Sequence, residues 1–147
     1  MADHDVTVSR TIHAGTQRVW TALTTPELVR EWMMGAAVES TWRVGATVTW
    51  TGEYNGKRYQ DKGEVLEVEE GRRLVHTHFS AMSGAKDVPA NYHRVSWRLQ
   101  PNGDSTTLTL TQSGASSAKE AEQFKSGWRT MLDQLRDVAE KQTTGNR

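Results

Sequence analysis

The chain of 147 residues has the length of one ordinary domain and is too short for two. It contains no cysteine, which excludes disulfide scaffolds, cysteine-ligated zinc, iron–sulfur clusters and thiol nucleophiles. Its 18 basic residues balance 18 acidic ones, so it lacks the basic surplus that favours binding to nucleic acids or anionic membranes. No apolar run is long enough to span a bilayer, and the first eight residues do not have the pattern expected of a signal peptide.

These exclusions predict a cytoplasmic protein that binds neither nucleic acid nor a membrane. We expect a single domain over residues 1–147, with an ordered core over about residues 5–141 and a frayed tail over residues 143–147.

A strand and two short helices are the first predicted elements. Residues 5–13 alternate apolar and polar side chains, which is typical of a half-buried strand. Residues 16–24 carry an apolar stripe at helical spacing. A second helix begins at Thr25, because threonine is a good cap and Pro26 suits the first helical position, and Gly35 ends it.

A sheet is predicted next. Between residues 36 and 111 the apolar period changes to two. Turn signals separate the runs at Asn55-Gly56, at Glu70-Gly71 and over residues 101–104. Strands that follow one another through tight turns form an antiparallel meander.

The last predicted element is a helix of about 24 residues. Ser117 and Glu120 have the spacing of a capping box, and apolar residues follow at three- and four-residue steps from Ala121 to Ala139. Only this helix is long enough to cover the apolar face of the sheet. The predicted fold class is therefore α+β, with six or seven antiparallel strands curled around the helix and the two short helices at one end.

Several motifs carry a resemblance to a known family, namely residues 19–28 followed by Trp32, residues 63–68, residues 106–111 and Gly127-Trp128 with Leu132 and Leu135. Together they resemble the helix-grip (START/Bet v 1-like, SRPBCC) fold, in the branch similar to the carboxy-terminal domain of the activator of heat-shock-protein-90 ATPase. The resemblance covers about residues 5–140. It implies a cavity between the sheet and the long helix, able to hold an apolar small molecule. It implies no shared catalytic residues, because relatives include stress-linked proteins, chaperone-stimulating domains and aromatase/cyclase enzymes.

The chain departs from the family after its last strand. Where the family tends to carry a His-Ser/Thr-Gly-Phe sequence, this chain has Gln112-Ser113-Gly114-Ala115. The missing aromatic side chain predicts that this end of the cavity is more open.

Strand parity and helix spacing select the residues expected to line the cavity. His93 and Gln112 are the preferred polar groups, and the alternative is that both are ordinary hydrogen-bonded core residues. The aromatic candidates have simple core packing as their alternative. The complete set is Trp50, His93, Val95, Trp97, Leu108, Leu110, Gln112, Phe124, Trp128 and Met131.

Three histidines raise the question of a metal. His76 and His78 are two apart on one strand and share a face, and His93 on the next strand could neighbour them and complete a zinc site. Two alternatives remain open: both histidines are solvated because Val75 and Phe79 form the buried face, or they are polar groups of the cavity wall. We predict no metal and no cofactor.

The predicted function is the binding of a hydrophobic or aromatic small molecule by a free-standing domain of the kind found in bacteria, in a stress-related role. One alternative is a module that binds a partner protein, such as a chaperone ATPase. A second is a cyclase or dehydratase that uses a cavity histidine with Asp61 or Glu53. Binding without catalysis is the favoured prediction. Unpaired sheet edges also favour a homodimer.

Overall fold

The computed structural model describes residues 4–145, with side chains to residue 141. The elements in chain order are β1 (Val6–Ile12), α1 (Thr16–Thr24), α2 (Pro26–Trp32), β2 (Ala37–Glu39), β3 (Thr47–Tyr54), β4 (Lys57–Glu69), β5 (Arg73–His78), a 3-10 turn (Pro89–Asn91), β6 (His93–Asn102), β7 (Ser105–Gln112) and α3 (Ala118–Gly145). Residues 146–147 of the tail that we expected to fray lie outside the described residues.

The strands form one curved sheet of seven, in the order β1-β7-β6-β5-β4-β3-β2. Every neighbouring pair is antiparallel, and β1 joins the meander by pairing with β7, with Val8 opposite Leu110. The predicted α+β helix-grip architecture is confirmed, including the two short helices after the first strand and the long terminal helix. Within residues 4–145, no helix is both long and apolar enough to cross a membrane.

The sheet bends where β4 meets β5. The register shifts between Val65 and Glu67, and such a bulge bends its strand and increases the local twist. Two residues before the bulge, a Cβ placed on Gly63 would lie 1.8 Å from the carbonyl oxygen of Thr77. Only glycine allows the two strands to approach this closely. Gly63 and the bulge therefore both favour curvature of the sheet in this part of β4.

Helix α3 is seated on the rest of the protein mainly through its carboxy-terminal half. Leu132, Leu135 and Ala139 are fully buried, and the helix packs against β1, α1 and α2. In the amino-terminal half, Phe124 and Trp128 are only half-buried. This gradient in burial indicates that the helix stands away from the sheet at its amino-terminal half and leaves a space there.

The start of α3 differs in one contact from the expected capping box. The hydroxyl of Ser117 accepts the backbone N–H of Glu120 at 3.1 Å, as a box requires. The Glu120 carboxylate accepts the backbone N–H of Ser116 at 2.7 Å, one residue before the usual partner. Hydrogen bonds from the backbone and the side chain of Ser116 lower the pKa of Glu120.

Candidate functional site

A cavity of about 760 Å³ lies between the sheet and the amino-terminal half of α3. Its volume is in the range of small-molecule sites in proteins, roughly 300–1,000 Å³. Strands β3 to β7, the segment from α2 to β3 and one face of α3 contribute its walls. The aromatic residues of the lining are Trp32, Trp42, Trp50, Tyr54, Tyr59, Trp97, Phe124 and Trp128.

Most of the residues predicted to line the cavity do so. They are Trp50, His93, Val95, Trp97, Gln112, Phe124, Trp128 and Met131. Leu108 and Leu110 have the expected inward parity but do not line the cavity; they are fully buried in the core. The reason is their position along β7, where α1 covers the sheet, so that only Gln112 at the end of the strand reaches the cavity.

Trp97 forms the centre of the cavity floor. Its ring meets that of Trp128 edge-on with centroids 5.5 Å apart, and that of Trp32 edge-on at 6.0 Å. Edge-to-face contacts are a favoured arrangement of aromatic rings. The floor is therefore a fixed set of indoles that extends from α2 to α3.

His76 faces the cavity and not solvent, and only 3% of its surface is exposed. Its Nδ1 is 2.8 Å from the carbonyl oxygen of Thr77, so Nδ1 carries the proton and donates it. Its Nε2 accepts the indole N–H of Trp97. Burial lowers the pKa of His76 to about 4, against the opposing effect of the hydrogen bond to Thr77.

His76, His78 and His93, the candidate ligands of a zinc ion, do not form a metal site. Both nitrogens of His76 are already hydrogen-bonded within the protein. Among the residues that the structure describes, no three His, Asp or Glu side chains are grouped so that they could hold a metal ion.

One end of the cavity carries a carboxylate and an imidazole in contact. Asp61 Oδ2 lies 3.2 Å from His78 Nε2, and Asp61 Oδ1 accepts the backbone N–H of Ala81 at 3.0 Å. The rings of Trp50 and His78 are 5.3 Å apart. Burial, followed by the negative charge of Asp61, raises the pKa of the Tyr59 hydroxyl. We call Trp50, Tyr59, Asp61 and His78 the acidic corner.

The acidic corner was only partly foreseen from the sequence. Asp61 was a candidate partner for an inward histidine, and the structure pairs it with His78. Glu53, the other candidate, is exposed and does not line the cavity. A carboxylate that orients an imidazole is an arrangement that general bases use.

His93 and Gln112 line the wall beside the acidic corner, because His93 is directly opposite His78 in the pairing of β5 with β6. His93 Nδ1 donates to the carbonyl oxygen of Ser113 at 2.8 Å, which leaves Nε2 as the acceptor in the neutral ring. Gln112 is 5% exposed, and its side-chain oxygen accepts the indole N–H of Trp128. Both residues are therefore cavity-wall groups and hydrogen-bonded core residues at the same time.

The entrance of the cavity is apolar and exposed. Met34, Tyr54 and Met82 line it, with exposures of 64%, 57% and 49%. Met34 and Trp42 have φ angles of 54° and 59°, in the left-handed region that bulky side chains rarely adopt. Such backbone costs about 1–3 kcal/mol per residue and is found most often at functional sites.

Comparison with known proteins identifies one family and several solved structures with the same fold. The model of the family described as "Activator of Hsp90 ATPase homolog 1-like protein" matches residues 13–140. A search of curated proteins found no match. The chain is similar to a protein of Cytophaga hutchinsonii solved in solution, with 35% identity over 98% of this chain and 99% of the other, and a TM-score of 0.83.

Two further solved structures share the fold. A Mesorhizobium loti protein has 27% identity over 93% of this chain and 97% of its own, with a TM-score of 0.75. The Aha1 dimer from Colwellia psychrerythraea has 19% identity over 92% of this chain and 96% of its own, with a TM-score of 0.71. At that identity the likeness to the Colwellia protein concerns the fold alone.

Proposed function

The chain belongs to the activator of Hsp90 ATPase homolog 1-like family, and on that premise we propose that it binds a hydrophobic or aromatic small molecule between its sheet and α3. The observation that carries this proposal is the cavity of about 760 Å³ with a mainly apolar lining that includes eight aromatic residues. Small-molecule sites are typically concave and apolar, with a few polar groups that orient the ligand. The acidic corner and the neighbouring pair of His93 and Gln112 supply such groups.

The entrance supports the same proposal. Exposed Met34, Tyr54 and Met82 offer apolar contacts to an entering molecule. Methionine side chains are flexible and polarizable, and they adapt to ligands of different shape. An entrance of this kind suits capture of an apolar molecule from water.

Gly127 provides a way to fill the cavity while the fold is kept. It lines the cavity on α3, and no atom lies within 4 Å of the place where its Cβ would be. Gly127→Leu therefore puts a side chain into open space, and it gains roughly 0.8 kcal/mol of helix propensity. Gly127→Ala is the matched control, because it makes the same backbone change and adds only a methyl group.

The test combines native mass spectrometry of the freshly purified protein with titrations followed by tryptophan fluorescence. The ligands are neutral flavonoids, polyketide-like aromatics and the neutral probe N-(5-hydroxypentyl) dansylamide. We expect saturable quenching with a Kd below about 10 μM for the wild type and Gly127→Ala. Gly127→Leu should bind at least about tenfold more weakly, a loss of roughly 1.4 kcal/mol.

Two results would contradict the proposal. One is a protein that carries no co-purifying mass and responds to no member of the screen. The other is a Gly127→Leu variant that binds as tightly as the wild type, because the ligand would then sit elsewhere.

A partner protein is the second candidate function. The observation that favours it is the set of exposed apolar side chains at the entrance, together with the description of the family. A failed ligand screen would make this candidate the first to test, with Met34→Ser and Met82→Ser as variants that lose the partner. A homodimer remains a prediction, and light scattering of the purified protein tests it.

A further inference from the structure

Asp61 is a largely buried carboxylate whose partner is an imidazole and not a lysine or arginine. Its side chain is 16% exposed, and within the described residues its ionisable contact is the imidazole of His78, with no lysine or arginine in an ion pair with it. Aspartate is almost never buried unless it is paired. Its two oxygens accept one hydrogen bond each from Ala81 and His78, and each carboxylate oxygen has a second lone pair.

Among the described residues, the carboxylates of the cavity wall have no lysine or arginine in that wall to balance them. These carboxylates belong to Asp61 and Glu120. In its neutral form the His93 ring adds an acceptor, Nε2, because its Nδ1–H donates to the carbonyl oxygen of Ser113. The wall therefore offers acceptors and negative charge to whatever enters.

Aromatic faces lie beside the carboxylate. Trp50 is directly opposite Asp61 in the pairing of β3 with β4, so both side chains project from the same face of the sheet. Tyr59 is two residues from Asp61 on β4 and shares that face. An ammonium group over a tryptophan or tyrosine ring is attracted by the ring quadrupole, and more strongly when water is excluded.

We propose that the ligand of this cavity is an apolar or aromatic molecule that carries a cationic amine, with the ammonium group held at the acidic corner by Asp61, Trp50 and Tyr59. This inference rests on the proposed function and specifies its ligand class. The apolar part of the molecule lies along the indoles of Trp97 and Trp128. Fatty acids and other carboxylates are disfavoured, because the cavity wall has no basic side chain to pair with them.

Three probes with one skeleton test this inference at pH 8. They are dansylamides whose pentyl chain ends in an amine, a hydroxyl or a carboxylate, and energy transfer from tryptophan to the dansyl group reports binding. We expect the amine to bind about tenfold more tightly than the hydroxyl probe, a difference of roughly 1.4 kcal/mol. The carboxylate should bind more weakly than both.

Asp61→Asn isolates the charge. Asparagine keeps an oxygen for the N–H of Ala81, so the loop contact of the wild type is preserved. In this variant the amine probe should lose its advantage, so that it binds no more tightly than the hydroxyl probe. Asp104→Asn, an equal loss of charge at an exposed turn that does not line the cavity, should leave the affinities unchanged.

The outcomes separate the two proposals. If the hydroxyl probe binds in a Gly127→Leu-sensitive manner but the amine has no advantage, the proposed function stands and the amine inference is overturned. The same holds if Asp61→Asn keeps the full preference for the amine. If no probe binds, the proposed function fails, and the amine inference fails with it.

Discussion

The indole N–H of Trp97 donates a hydrogen bond to Nε2 of His76 at 3.1 Å, in the wall of the cavity. The bond requires that Nε2 carry no proton, and the bond from Nδ1 to the carbonyl of Thr77 requires that Nδ1 carry one. Protonation of His76 would therefore leave the buried indole N–H without its acceptor. Burial and the two hydrogen bonds of the ring therefore both favour the neutral form of His76.

The first prediction is an acid-dependent loss of stability. The unfolded chain protonates His76 near the ordinary pKa of 6.5, whereas the folded protein does so only near its lowered pKa of about 4. The contribution of the neutral ring is thus complete above pH 6.5 and is lost as the pH falls toward 4. The free energy of unfolding should decrease by roughly 3 kcal/mol over this interval, as measured by urea unfolding at several pH values.

His76→Gln separates this effect from the other titrations. Its side-chain oxygen can accept the Trp97 N–H, and the residue does not titrate. We expect a shallower decrease in stability with falling pH than in the wild type. His13→Gln, at an exposed position, should retain the wild-type dependence. An equally steep decrease in His76→Gln would show that other groups cause the acid sensitivity.

The sequence was sufficient for the fold and for much of the cavity wall, because both depend on local periodicity. Alternation along β6 turns His93, Val95 and Trp97 to one face, and the helical repeat of α3 places Phe124 and Trp128 opposite them. These patterns require no knowledge of distant contacts.

Position along a strand and the course of loops could not be predicted in this way. Parity assigns Leu108 and Leu110 to the inner face, but only the placement of α1 decides that they are core and not cavity wall. Met34 and Met82 lie in connections without periodicity, so nothing in the sequence marked them as the entrance. Asp61 could be named but not selected, because its contact with His78 depends on how β4 is aligned with β5, which periodicity alone does not give.

The second prediction compares two tryptophans that touch one another. Trp97 is 3% exposed, whereas Trp128 is half-buried, and their rings meet edge-on. Trp97→Ala should lower the free energy of unfolding by roughly 3–5 kcal/mol, since it leaves a core void and removes the donor to His76. Trp128→Ala should cost only about 2 kcal/mol, because its ring borders the cavity and chiefly the bond to Gln112 is lost. Urea unfolding at pH 7.5 measures both; equal costs would mean that Trp128 is as deeply packed as Trp97.

The third prediction concerns Gly114, which supports His93 at the cavity end. Its φ is +86°, and a Cβ there would lie 2.8 Å from His93 Nδ1, the atom that donates to Ser113. Gly114→Ala combines a left-handed backbone penalty of roughly 1–2 kcal/mol with displacement of the imidazole. It should therefore destabilise the protein and weaken ligand binding at this end of the cavity.

Gly103→Ala is the matched control for this substitution. Gly103 has a φ of +63° in the turn between β6 and β7, and no atom lies within 4 Å of its Cβ position, so only the backbone penalty applies. Urea unfolding should show a loss about 1 kcal/mol larger for Gly114→Ala, the typical net contribution of the broken hydrogen bond. Titration with the neutral dansyl probe should show weaker binding for Gly114→Ala alone. If the two variants lost the same stability and bound the probe equally, the His93 ring would not depend on Gly114, and its place in the cavity wall would have another cause.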